Sequence, residues 1–196
     1  MSKTHIVIHH SATPVESIKD TIKGVNSAHK NRGFPKSELG YHVGYHYMID
    51  FFGNAVQTRM DHEIGAHCRE QKMNYKSIGV CLIGNFVISK PTNDQIEKLI
   101  ETLTYLCTKY KIPVENIKYH GEFKPTACCG KNLINSMSYI KNAVKDRLHE
   151  KQKDWKDVAK EWAMDNGVIT KWENLPFTEE QTIWLAEVLR KFKNLR

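Results

Sequence analysis

The chain's first apolar positions come as a block. Residues 5–10 (HIVIHH) form a short β-branched run, closed by Ser11, Ala12, Thr13 and Pro14, which is the pattern of a buried strand. Residues 16–31 are polar and helix-compatible, and Arg32, Gly33 and Pro35 supply a stop. Residues 44–51 (GYHYMIDF) and 55–59 (AVQTR) flank Phe52, Gly53 and Asn54 and read as a hairpin. Residues 77–84 (SIGVCLIG) predict a second apolar strand. Thr92 is a helix N-cap, after which Ile96, Leu99, Ile100, Leu103, Leu106 and Cys107 recur at helical spacing up to Tyr110. An amphipathic stretch from Leu133 to Leu148 completes this part. Strands that alternate with helices predict an α/β fold, a mixed central β-sheet flanked by helices.

The pattern changes at the charged junction 150–154 (EKQKD). Trp155, Val158, Ala159, Trp162 and Ala163 mark one helical face that ends at Asn166 and Gly167. Thr178 then caps a second helix carrying Ile183, Trp184, Ala186, Val188 and Leu189. All four tryptophans fall in this tail. The expected organisation is a domain over residues 1–149 and a small helical C-terminal module over 150–196, too small to be stable without packing on something else.

Charge sharpens the reading. The net charge is +7, and because residues 151–196 are nearly neutral, the first domain carries almost all of it. A basic domain suits a polyanionic partner such as nucleic acid, an anionic membrane or a bacterial wall rich in acidic polymers. Nucleic acid is not expected, since neither a strongly basic cluster nor aromatics interleaved with arginine is present. The opening MSKTHIVIHHSA is too short and too polar for a secretory leader, and no run reaches membrane-spanning length. The expectation is synthesis in the cytoplasm with no membrane insertion. Of five cysteines, Cys81 and Cys107 sit in apolar settings that suit buried small side chains. Cys128 and Cys129 lie instead in a turn-like stretch, KPTACCGKN.

Ten histidines are the unusual feature, six of them in the pairs His9/His10, His42/His46 and His62/His67. His9 ends a predicted strand, where a rigid sheet delivers side chains to a loop-built site. His120 and Cys128 flank the polar loop 121–127, whose Pro125 opposes helix. Two neutral imidazoles and a thiolate would hold zinc with a fourth position open, the arrangement of a catalytic site. A nucleophilic thiol at Cys128 or Cys129, served by a nearby histidine, is the competing chemistry.

Five segments in order, IVIHHSAT (6–13), VGYHYMI (43–49), EIGAH (63–67), SIGVCLIGNF (77–86) and HGEFKPTAC (120–128), resemble the type 2 N-acetylmuramoyl-L-alanine amidases. That family includes phage amidase-type lysozymes and peptidoglycan recognition proteins. The resemblance implies zinc ligands at His9, His120 and Cys128, and at Tyr45 the tyrosine that positions water or the developing oxyanion. Thr126 stands where many active members carry lysine, and its hydroxyl is a second oxyanion donor. Cys128-Cys129-Gly130 replaces the usual Cys-Pro-Gly. Glu122 is either the acid for the leaving amine or a partner that orients a ligand histidine.

The implied function is zinc-dependent hydrolysis of the amide between N-acetylmuramic acid and L-alanine in bacterial peptidoglycan. The alternative is a non-catalytic peptidoglycan-binding protein of the same fold. The tail partly resembles a single S-layer-homology-like unit, which implies binding of a secondary cell-wall polymer. A cytoplasmically made enzyme aimed at the wall implies a phage or prophage endolysin that acts after release.

Overall fold

The structure, a computed structural model, describes residues 2–13 and 21–152, with residues 164–165, 178, 180–181 and 183–184 of the tail. By its internal contacts the chain divides into Met1–Arg147 and Leu148–Arg196. In the tail, the Thr178 hydroxyl accepts from the Gln181 amide at 3.3 Å, and Gln181 Oε1 accepts from the Thr178 amide at 3.0 Å. This reciprocal pattern starts a helix. The expected first tail helix lies outside the described residues except at 164–165. Among the described residues no helix is long and apolar enough to cross a membrane.

The first unit is built on five strands: β1 (His5–His10), β2 (Tyr47–Ile49), β3 (Ala55–Gln57), β4 (Ser77–Leu82) and β5 (Ile117–Tyr119). Their order is β3-β2-β4-β1-β5. β1 runs parallel to β4 and β5, β2 runs parallel to β4, and only β3 is antiparallel, at one edge. The sheet is therefore mixed, and its central strands are fully covered. Ile6, Val7, Ile8, Ile78, Val80 and Leu82 are all inaccessible to solvent, which is why β1 and β4 read as continuous apolar runs. The β2–β3 hairpin is shorter than its apolar flanks suggest. Asp50 closes it, accepting the Phe52 and Asn54 amides on Oδ1 at 2.9 and 2.8 Å.

The helices are α1 (Thr21–Asn31), α2 (Met73–Lys76), α3 (Asn93–Tyr110), α4 (Lys131–Ile134) and α5 (Met137–Gln152). Of the expected helix over 16–31, residues 16–20 lie outside the described residues. Thr92 caps α3 in a reciprocal box with Gln95. Leu99, Ile100, Leu103, Leu106 and Cys107 form its buried face. The stretch expected to run unbroken from Leu133 is two helices. Asn135 and Ser136, which favour turns, part them, and α4 is held separately because the Asn132 amide donates to Phe86 O at 3.1 Å and its side chain to Ser89 O at 2.8 Å.

Alternation along the strands sorts the two faces of the sheet. Register pairs His9 with Cys81 and Cys81 with Met48, so these three share a face with Val7 and Gly79. Met48 and Cys81 pack there with Val25 of α1, Val43 and Ile83, and Tyr45 closes over them. On the opposite face Tyr47 and Tyr110 of α3 both donate to Asp61, at 2.8 and 2.6 Å.

Candidate functional site

β1 and β5 are neighbouring parallel strands, so their C-terminal ends lie side by side, where open sheets place their ligands. The register Ile8↔Tyr119 carries His9 to the level of His120, the residue that follows β5. Adjacent strands stand about 4.8 Å apart, and the two imidazole centroids are 4.7 Å apart. The backbone alone thus delivers two histidines to one point. β5 is only three residues long, too short for periodicity to reveal, and went unread in the sequence.

Cys128 returns to the same point through the loop that begins in a 3-10 turn at His120–Glu122. Its Sγ lies 3.6 Å from His9 Nδ1 and accepts from the His10 amide at 3.4 Å. Ligand atoms of His9, His120 and Cys128 all lie within 4.8 Å of one another. His10 leaves on the other side of the strand, where its Nδ1 accepts the Phe86 amide at 3.1 Å. Neighbouring histidines of one strand therefore do different work: one joins the cluster, the other anchors the loop after β4.

A residue with no role in the sequence reading completes the cluster. His67 Nδ1 is 3.1 Å from His9 Nε2, and both rings are buried. It occupies a slot made by two glycines: a Cβ on Gly79 would stand 2.6 Å from His67 Cδ2, and one on Gly65 would also overlap the ring. Asn74 Oδ1 accepts the amides of His67 and Cys68 at 2.8 and 2.7 Å and fixes this segment. The legible signal was the closing histidine of the EIGAH segment.

Burial dominates the electrostatics. It holds His9 and His67 well below the ordinary imidazole range, with the neighbouring histidines adding to the effect. His120 is lowered by burial and by Lys124, against Glu70. All three rings are therefore neutral at pH 7 and keep a lone pair for a cation. Burial pushes the Cys128 thiol up to about 11, partly offset by the His10 amide. Burial, with the nearby Cys81 and Cys128 thiols, likewise raises Tyr45 well above the usual phenol value, so it stays a protonated donor.

The remaining sequence-predicted residues are placed as follows. The Tyr45 ring centroid is 5.0 Å from that of His9. The Thr126 hydroxyl accepts the Cys128 amide at 3.3 Å, on the exposed side of the loop. Glu122 faces its own turn, accepting the Tyr119 amide at 3.0 Å and pairing with Lys118 at 2.9 Å. The carboxylate beside His120 is that of Glu70, 4.0 Å from Nε2.

The donor set fits a zinc ion. It offers two neutral imidazoles and one thiol converging on a half-open site, and His120 Nε2 is buried with no hydrogen-bond partner.

The fold and the sequence together match a known family. The sequence model of N-acetylmuramoyl-L-alanine amidases (Amidase_2) matches residues 1–131. The endolysin of Escherichia phage T7 is 30% identical over 129 residues, covering 63% of this chain and 78% of that protein. Among solved structures, the N-acetylmuramoyl-L-alanine amidase LysC from Clostridium intestinale URNW aligns with a TM-score of 0.61 at 26% identity, over 72% of this chain and 87% of that one. A tyrosine-to-phenylalanine mutant of Drosophila PGRP-LB, in complex with tracheal cytotoxin, aligns with a TM-score of 0.59 at 25% identity, over 70% and 80%. The chain belongs to the N-acetylmuramoyl-L-alanine amidase family.

Proposed function

We propose that this protein hydrolyses the amide between N-acetylmuramic acid and L-alanine in bacterial peptidoglycan, with zinc held by His9, His120 and Cys128. The observation that carries the reading is the convergence of those three donors within 4.8 Å at the ends of two parallel strands. When bound, zinc supplies Lewis acidity that polarises the amide carbonyl and makes water nucleophilic near neutral pH.

The chain's own residues supply the rest. His67 orients the His9 ring through Nε2, leaving Nδ1 toward the cation. Tyr45, kept protonated, donates to the oxyanion that develops on the carbonyl. Thr126 accepts the Cys128 amide, which leaves its own O–H free to donate to the same oxyanion. Glu122, held by Lys118 and the Tyr119 amide, braces the turn that presents His120 rather than supplying a proton.

Similarity to the T7 endolysin supports an endolysin of phage or prophage origin, made in the host cytoplasm and acting on the wall after release. In this proposal residues 1–149 are the catalytic domain, and the tryptophan-bearing module of residues 150–196 engages a secondary cell-wall polymer.

A non-catalytic peptidoglycan-binding protein is the second reading, since the complex of the PGRP-LB mutant with tracheal cytotoxin is an example of this fold holding a ligand; the complete donor set weighs against it. Digestion of purified peptidoglycan tests both. New alanine amino termini should appear without new reducing sugar ends, chelators should stop their release, and Zn²⁺ should restore it. Reducing ends would make the protein a glycosidase. Binding without cleavage would support the second reading. Cleavage that survives chelators but not alkylation would assign the chemistry to a thiol nucleophile.

A further inference from the structure

Beside the first donor set lies another. Cys68 Sγ, a Glu70 carboxylate oxygen and a His120 ring nitrogen also fall within 4.8 Å of one another. Cys68 Sγ is 3.6 Å from Glu70 Oε2, and Glu70 Oε2 is 4.0 Å from His120 Nε2. Around a tetrahedral cation with ligand bonds of about 2.0–2.3 Å, donor atoms stand about 3.3–3.8 Å apart. The sulfur–carboxylate spacing already lies in that range, and the carboxylate–imidazole spacing is a few tenths of an ångström outside it.

One further feature points to a cation at this ring. His120 Nε2 is buried and makes no hydrogen bond, a state that buried ring nitrogens rarely keep. Lys124 Nζ lies 3.4 Å from Glu70 Oε1 and leaves Oε2 to face the ring. The backbone holds the segment in place, because the Asn74 side chain that fixes His67 also accepts the Cys68 amide.

We propose that Cys68, Glu70 and His120 form a second site for a thiophilic divalent cation such as Zn²⁺ or Cd²⁺. A sulfur, nitrogen and oxygen set selects such ions over Mg²⁺ or Ca²⁺. The site is weaker than the first, because Lys124 competes for its carboxylate and its imidazole is shared. Since a neutral His120 has one lone pair to give and belongs to both sets, the two are alternatives, filled one at a time. The proposal concerns binding and stands apart from the hydrolytic reading.

The experiment is a titration of the metal-free full-length protein with Cd²⁺, followed by cadmium NMR and by thiolate-to-metal charge-transfer absorbance. Wild type is expected to bind one Cd²⁺ through one thiolate and two imidazoles. Cys128→Ser should still bind one, at a distinct resonance from one thiolate, one imidazole and one carboxylate, so failure of the first set would not hide the second. Adding Cys68→Ser or Glu70→Gln to Cys128→Ser should abolish that resonance, while either change alone should spare the wild-type one. Adding Lys124→Gln to Cys128→Ser should tighten binding by about two- to fivefold, the worth of an exposed ion pair. If the Cys68→Ser variant does not fold by circular dichroism, Glu70→Gln, whose side chain reaches solvent, decides alone. Loss of Cd²⁺ binding in a folded Cys128→Ser overturns the proposal, as does a resonance in that variant that survives Glu70→Gln.

Discussion

Replacing His67 with alanine isolates what holds the first histidine in place. His9 presents Nδ1 to Cys128 Sγ at 3.6 Å and Nε2 to His67 Nδ1 at 3.1 Å. A cation on Nδ1 requires the His9 proton on Nε2, where His67 accepts it. Without His67 that proton points into a buried space with no acceptor, which costs about 1–3 kcal/mol. In the metal-free protein His9 can move the proton to Nδ1, toward Cys128, so most of the cost falls on the bound state alone. Loss of an outer partner of a ligand histidine weakens binding by about 10–100-fold, or about 1.4–2.7 kcal/mol, and the two routes agree. The assay is competition for Zn²⁺ against a chromophoric chelator, with the melting of the metal-free variant measured alongside. Gly79→Ala should shift affinity in the same direction, since its Cβ would stand 2.6 Å from the His67 ring. A folded His67→Ala that binds Zn²⁺ within about twofold of wild type would refute the reasoning, because loss of the partner that holds the His9 ring should cost about tenfold or more.

Other substitutions probe the neighbouring links. His9→Ala should lose zinc and turnover while the sheet survives; His10→Ala should keep zinc and lose about 1–3 kcal/mol, because the buried Phe86 amide loses its acceptor. Metal analysis and denaturant titration of both separate these outcomes, and the reverse pattern would mean that the strand faces are misassigned. In acid, His46 and His29 are held down to about 3 and about 4, chiefly by burial. Their folded values lie below the unfolded value of about 6.5, so the stability they contribute is complete above that pH and is lost as pH falls through the folded values. The denaturant midpoint of the metal-free protein should therefore drop on acidification, and a rising midpoint would contradict this. Deleting residues 155–196 should leave a zinc-binding protein that still cleaves soluble muropeptides but acts less on intact walls; an insoluble truncation would remove the idea of a separate binding module.

The sequence by itself determined the parts whose information is local. β1 and β4 were legible because strands buried on both faces must be apolar throughout, and α3 because its apolar positions keep helical spacing up to Tyr110. The ordered motifs carried the family and nominated His9 over His10, a choice that periodicity could not make in a strand apolar on both sides. Tertiary structure decided what depends on register and on chain return. β5 is three residues long, yet its pairing with β1 sets His120 level with His9. His67 acquires its position from Gly65, Asn74 and Gly79, none of them informative until the segment and strand β4 are packed together. Glu122 looked like the carboxylate of the site because it lies two residues from His120, but a 3-10 turn directs it to Lys118 and its own backbone. Glu70, fifty positions away along the chain, stands beside His120 instead. Nearness in sequence says which residues share a turn; only the folded backbone says which side of the turn faces the site.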